Sequence, residues 1–205
     1  ALFTEGLVPI DLPWTPGLEV SGRVRALGDG VDGYRVGEAV VALTITGGGG
    51  YGQVAVAPAE LVTPLPAGLD PVLAAAVPAN STTALVALEE IAHLRRGESV
   101  LVHAAAGGLG SQMGQVARLL GAGRVVGVTR SQAKRQEILD LGYDEAWLPE
   151  DLAEAEPAQF DVVADPVAGP NRLRSLDLLR TGGRLLALGD ASQAEDQQVS
   201  TTSLW

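Results

Sequence analysis

The sequence of 205 residues contains no cysteine, which removes disulfides, thiolate catalysis and cysteine-built zinc cages together. Histidine is nearly as scarce. His93 and His103 are the only two, ten residues apart, and cannot be near neighbours on one helical turn. Lysine occurs once, at Lys134, against thirteen arginines. No apolar run reaches the roughly 18 residues of a membrane-spanning helix, and no basic, apolar, small-residue leader opens the chain. The sequence therefore reads as soluble and cytoplasmic. Its formal charge is −11, and it lacks the basic stripe expected of a surface for nucleic acid or anionic membrane. A starting methionine is missing as well. What remains, 46% apolar residues, is enough for the core of one domain or two small ones.

Residues 100–115 read VLVHAAAGGLGSQMGQ: an apolar run, a glycine cluster, then a helix-compatible stretch. A dinucleotide-binding turn requires that order. A buried strand over 100–103 ends, and Gly107, Gly108 and Gly110 let the backbone turn tightly and approach a pyrophosphate. The helix that follows aims free N–H groups and its positive dipole end at the phosphates. A second strand within GAGRVVGVTR (121–130) comes one helix length later, which supplies the βαβ context that makes the pattern specific. In the G-x-G-x-x-G register the first glycine is replaced by Ala105, followed by Ala106, Gly107, Gly108, Leu109 and Gly110. Alanine fits that slot only with a negative φ. A bulky residue at Gly107 or Gly108 is expected to block the backbone approach or to force a forbidden φ.

Residues 1–80 are rich in glycine, proline and valine, with short apolar runs EVSGRVRAL, AVVALTI, QVAVAP and LVTPL between turn signals. This is a β pattern. The glycine tract 47–50 reads as a flexible, solvated hairpin connection, because no helix start follows it. From about Leu69 the spacing becomes helical, with Pro78 as an interruption. Asp70 and Pro71 read as a helix cap and first-turn proline, and Ser81 or Thr82 as the cap of a second helix ending near Gly97. Beyond it, SVLVHA, RVVGVTR, EAWL, FDVVADP and GGRLLALGD read as strands. SQMGQVARLLG, SQAKRQEILDLG and NRLRSLDLLRTG read as helices between them. Such alternation implies right-handed crossovers and a doubly wound parallel sheet. The expected class is α/β, with a mostly-β domain over 1–80 and a dinucleotide-binding Rossmann domain over 81–205.

The end of the second strand selects the dinucleotide. An NAD-specific turn places an acidic residue about 20 positions beyond the glycines to accept from the ribose hydroxyls. Here the chain reads Thr129, Arg130 and Ser131, then Lys134. Two cations and no carboxylate suit a 2′-phosphate, and Arg130 could also stack on the adenine. NADPH is the expected cofactor. Asp165 and Gly189 end the fourth and fifth strands, at the edge where ligands bind in open α/β sheets. Turns favour both residue types there in any case. His103 reads as structural.

These stretches carry a family resemblance. AAAGGLGSQMGQVARLLGA (104–122) resembles A-A-x-G-G-V-G-x-x-x-x-Q-x-A-x-x-x-G-A, the fingerprint of the zinc-independent quinone oxidoreductase branch of the medium-chain dehydrogenase/reductases. PWTPGLEVSGRVRALGDGVDGYRVGEAVVAL (13–43) is similar to that family's glycine-rich strand–turn–strand element. YGQVAVAPAELVTPLPAGLD (51–70) and VPANSTTALVAL (77–88) are similar to the stretches leading into its cofactor domain. The resemblance implies a partial GroES-like domain followed by a Rossmann domain that lacks its last strand, and so a fragment of a longer protein. It implies that Thr83, within Asn80-Ser81-Thr82-Thr83-Ala84, matches a threonine that approaches the nicotinamide. It implies also that the stretch from Ser131 to Lys134 matches an S-x-x-K element common in the family, and that the full-length protein is a homodimer.

Zinc alcohol dehydrogenases of the same superfamily place a histidine two residues after the proline of P-G-H-E. Here Pro16-Gly17 is followed by Leu18 and Glu19, so no metal is expected. The implied activity is hydride transfer from NADPH to a quinone or an α,β-unsaturated carbonyl, where positioning and a polar oxyanion contact suffice. Two further readings stay open: an enoyl reductase domain of a polyketide synthase, and a non-catalytic NADPH-binding protein. The family's proposed proton-donating tyrosine lies ahead of the point matching Ala1. Neither Tyr34 nor Tyr51 sits at its position, so no catalytic residue is assigned.

Overall fold

A computed structural model describes residues 13–44, 47–195 and 197–199. Internal contacts divide the chain into two units, Ala1–Ala79 and Asn80–Trp205.

In the first unit, β1 (Glu19–Arg23), β2 (Ala39–Leu43) and β3 (Val62–Pro64) form an antiparallel sheet in the order β1-β2-β3. The central strand buries Val40, Ala42 and Leu43. Ile45, at the end of the AVVALTI run, lies outside the described residues. The QVAVAP run forms no strand among the described residues; Val54 and Val56 are left 55% and 84% exposed. The glycine tract 47–50 differs from expectation, for it is packed rather than loose. The Gly49 amide donates to Thr15 O at 2.7 Å and the Gly50 amide to Gly17 O at 3.3 Å. A Cβ on Gly50 would lie 2.5 Å from Glu19 O, so two backbones meet where only glycine leaves room. α1 (Pro71–Ala74) starts as the sequence predicts, with the Asp70 carboxylate accepting from the Val72 amide at 2.8 Å.

The unit boundary falls within α2 (Pro78–Leu85). Pro78 opens this helix instead of interrupting it, which suits a residue whose missing N–H would have no partner in a first turn. Ser81 and Thr82 lie inside the helix and do not cap it. A π-helical stretch, Val86–Ile91, continues it.

The second unit holds a parallel sheet ordered β6-β5-β4-β7-β8. Its strands are β4 (Ser99–Val102), β5 (Arg124–Val128), β6 (Glu145–Trp147), β7 (Phe160–Asp165) and β8 (Leu179–Ala187). The helices between them are α3 (Gly108–Leu119), α4 (Arg135–Asp140), α5 (Pro149–Glu154) and α6 (Pro170–Leu178). Every residue of β4 is buried, and its side chains alternate between two cores. Val100 and Val102 pack with Met113 and Ala117 of α3, whereas Leu101 packs with Phe160, Val163 and Leu178. Cover on both faces is why this strand is one continuous apolar run. The winding reverses at β4, with β5 and β6 on one side and β7 and β8 on the other. In such sheets the ligand crevice lies at the carboxyl ends beside the reversal.

α6 stops four residues before the expected end at Gly182. Leu179 pairs with Phe160, and a register shift intervenes before Arg184 pairs with Val162. Gly182, at φ +76, accommodates the irregularity. Among the described residues no helix is long and apolar enough to cross a membrane.

Candidate functional site

The passage from β4 to α3 begins when the His103 amide, one residue past the strand, donates to Ala164 O at 3.0 Å. Ala104 then takes φ +51, a left-handed conformation uncommon for alanine. Ala105 returns to negative φ, as the altered glycine motif demands, and is fully buried. Its amide donates to Val128 O at 3.0 Å, which ties the turn to the last residue of β5.

The glycines divide the work differently from the expectation. Gly107 has φ −85 and Gly108 is not left-handed, so neither position needs glycine for its φ. Both are exposed. A Cβ on Gly107 would come within 3.1 Å of Ala104 O, and one on Gly108 within 3.1 Å of Asn80 Nδ2. Gly110 is the glycine the fold itself requires, because a Cβ there would overlap Ala104 O and sit 2.7 Å from Ala105 Cα. The first turn of α3 therefore rests directly on the turn backbone.

Gly107 caps α3 without any side-chain hydrogen bond. First-turn amides have no acceptor inside their own helix, so those of Gly108, Leu109 and Gly110 stand at the positive end of a 12-residue dipole. The side chains of Ala106 and Leu109 pack against the core, and these two residues offer only backbone. The ligand chemistry that suits this helix end is an anion. α2 borders it: Asn80 lies beside Gly108, and Ser81 Oγ donates to Gln112 Oε1 at 2.9 Å. Thr83 is exposed on the same helix. The glycine pattern does not single out Asn80, whose one signal in the sequence is its place in the N-S-T-T-A stretch.

At the neighbouring strand end, Thr129 donates its amide to Trp147 O at 2.9 Å and accepts the Ser131 amide on Oγ1 at 3.2 Å. It is 7% exposed and forms the bend after β5. Arg130 and Lys134 are exposed, and among the described residues neither has a carboxylate within ion-pair reach. The next cation, Arg135, faces Asp151 at 3.8 Å. The link from Ala105 to Val128 thus brings the glycine turn and this cationic bend to one edge of the sheet.

Other candidates belong to the framework. The Asp165 carboxylate is fully buried and accepts from the Val167 and Ala168 amides at 2.8 and 2.9 Å. Arg172 bonds it as well, and Arg172 also reaches Gly189 O. His103 is 1% exposed, with Nε2 2.8 Å from Ser175 Oγ. That hydroxyl donates to Asn171 O, which leaves Nε2 as the donor of the pair. Burial holds His103 below the usual imidazole range, against the opposing charge of Asp165.

Residues 108–205 match the family described as zinc-binding dehydrogenase, and residues 2–67 match the alcohol dehydrogenase GroES-like domain. The chain belongs to the medium-chain dehydrogenase/reductase superfamily. It is 35% identical over 204 residues to the quinone oxidoreductase of Rattus norvegicus, an alignment covering 94% of this chain and 61% of the rat protein. It is 40% identical over 179 residues to the spectinabilin polyketide synthase system protein NorB of Streptomyces orinoci, covering 84% of this chain and 8% of that one. The native structure of a mycobacterial protein complexed with NADPH matches with a TM-score of 0.85 at 30% identity, covering 99% of this chain and 65% of that one. This medium-chain dehydrogenase/reductase sequence therefore spans 61% of the rat relative's length.

The zinc in the family description does not fit the donor set of this medium-chain dehydrogenase/reductase chain. There is no cysteine, His103 is engaged with Ser175, and the described residues contain no cluster of three metal-ligating side chains. A dinucleotide does fit, since the start of α3 is capped by a glycine and the next strand end carries cations without acids.

Proposed function

We propose that this chain forms the cofactor-holding part of a reductase that passes hydride from NADPH to a quinone or an α,β-unsaturated carbonyl without a metal. The observation that carries the cofactor is the glycine cap of α3, which leaves its first amides to a ligand, beside Arg130 and Lys134, which among the described residues face no carboxylate. The pyrophosphate binds the amides of Gly108, Leu109 and Gly110. Arg130, Ser131 and Lys134 take the 2′-phosphate, while Ala106, Gly107 and Thr129 shape the backbone around them. Thr83 serves the nicotinamide end. NADPH, when bound, supplies the hydride. The chain's own residues bind and orient it, and an electron-poor acceptor then needs positioning and a polar contact for the developing oxyanion.

Similarity to the rat quinone oxidoreductase and to the NADPH-complexed mycobacterial protein supports this reading. For the whole protein it implies a cytoplasmic homodimer acting on a small molecule. A second reading, an enoyl reductase domain of a polyketide synthase, is favoured by the 40% identity to the Streptomyces orinoci protein. The flanking gene sequence separates the two. A non-catalytic NADPH-binding protein is the third reading, and turnover excludes it.

The test is fluorescence titration with NADPH and NADH, followed by NADPH oxidation by the full-length protein with a benzoquinone and an enal. NADPH should bind about tenfold or more tightly than NADH, and turnover should survive exhaustive chelation. Absence of NADPH binding overturns the reading, and loss of turnover on chelation overturns its metal-free form.

A further inference from the structure

Tyr143, after α4, is 4% exposed. Its ring occupies a slot that two glycines create. A Cβ on Gly114 of α3 would overlap the ring, and one on Gly127 of β5 would lie 3.0 Å from its Cδ1. At the end of the slot the phenol donates to Gly110 O at 2.6 Å. Burial pushes the hydroxyl above the usual phenol range, so it remains a protonated donor.

The Gly110 carbonyl shares a peptide unit with the Ser111 amide, and that amide donates to Gly107 O at 2.8 Å. The Gly107 carbonyl in turn shares a peptide unit with the Gly108 amide, in the first turn of α3, where it has no acceptor inside its own helix. The sequence of donors is Tyr143 hydroxyl, Ser111 amide, Gly108 amide. Each hydrogen bond polarises the peptide it enters, and a chain of them strengthens the last donor. We infer that Tyr143 is a positioning residue of the dinucleotide site, holding and polarising the Gly108 amide through this hydrogen-bonded chain. The inference rests on reading the glycine turn as the pyrophosphate site, and it adds a residue that the glycine motif does not contain.

The test uses the intact protein with NADPH, inorganic pyrophosphate, and 2′-AMP, which carries the 2′-phosphate without the pyrophosphate. Tyr143→Phe keeps the ring and removes the donor. NADPH and pyrophosphate should each weaken about three- to tenfold, while 2′-AMP binds as in the wild type. Leu152→Ala, in the other core, controls for loss of stability and should leave all three affinities unchanged. Tyr143→3-fluorotyrosine is nearly isosteric and a stronger donor, so it should tighten NADPH and pyrophosphate; it also decides the matter if Tyr143→Phe fails to fold. Equal affinities across the Tyr143 variants overturn the inference, as does equal weakening of all three probes. Wild-type protein that binds neither NADPH nor pyrophosphate overturns the parent reading as well. Wild-type binding with indifferent Tyr143 variants overturns the inference alone.

Discussion

The Arg172 guanidinium bonds the fully buried Asp165 carboxylate at 2.8 Å and, with another nitrogen, donates to Gly189 O at 2.8 Å. One side chain thereby ties the carboxyl ends of β7 and β8, at the edge where an open α/β sheet receives its ligand. The second Asp165 oxygen holds the Val167 and Ala168 amides. These lead into the left-handed pair Ala168 (φ 64) and Gly169 (φ 63) before α6. The acid that the sequence places at this strand end is therefore internally satisfied.

Removing the cation should expose the strength of that arrangement. Arg172→Ala leaves a buried carboxylate with two amides and no counter-charge, which should destabilise the protein by about 2–4 kcal/mol. Urea unfolding measures it. The double variant Asp165→Asn with Arg172→Ala should lose less than the sum of the single changes. A loss below about 1 kcal/mol for Arg172→Ala would show that the pair contributes little.

Glycine substitutions in the turn before α3 should separate folding from binding. Gly110→Ala drives a methyl into the Ala104 carbonyl and should lower stability by about 1–3 kcal/mol. Gly108→Val meets only the movable Asn80 side chain, so it should fold while losing about tenfold or more in NADPH affinity by blocking backbone approach. Thermal unfolding and NADPH fluorescence read the two effects separately. Unchanged affinity in Gly108→Val removes this glycine from the cofactor site.

Cofactor preference should reside in Arg130 and Lys134. Each charge-assisted contact to a 2′-phosphate contributes on the order of 1–3 kcal/mol, so Arg130→Ala and Lys134→Ala should each weaken NADPH about 5- to 150-fold. NADH should be nearly unaffected, and the salt dependence of NADPH binding should flatten in both variants. Equal weakening of both cofactors would mean that these side chains do not read the 2′-phosphate.

His103 should give the fold a pH dependence in the mildly acidic range. Burial depresses its folded pKa below the ordinary 6.5, so the unfolded chain takes up a proton first as pH falls. Stability is then fully present above 6.5 and declines as pH drops from there through the folded pKa. Urea midpoints between about pH 7.5 and 5 should fall in the wild type and fall less in His103→Gln, which keeps a donor for Ser175. Identical slopes would remove His103 as the source. Glu98 acts in the same direction at lower pH, because its hydrogen bond to Arg184 holds it below the ordinary 4.5.

By itself the sequence determined the doubly wound sheet, the position of the glycine turn before α3 and the Asp70 cap. Each of these follows from chemistry within a few residues: an apolar run as long as a buried strand, glycine where a backbone bends, a carboxylate two residues from the amide it accepts. The junction of α6 and β8 was not legible. Residues 179–183 suit either a helix end or a strand, and the ladder with Phe160 and Val162 made the choice. The tract 47–50 looked loose because its partners lie some thirty positions earlier in the chain. Tertiary structure alone decided that Asp165 is closed by Arg172, that among the described residues Arg130 and Lys134 face no acid, and that Tyr143 stands beneath Gly110. These are relations between side chains on different strands and helices. Spacing along the chain records periodicity and local bonding, whereas such partnerships exist only once packing has brought distant segments together.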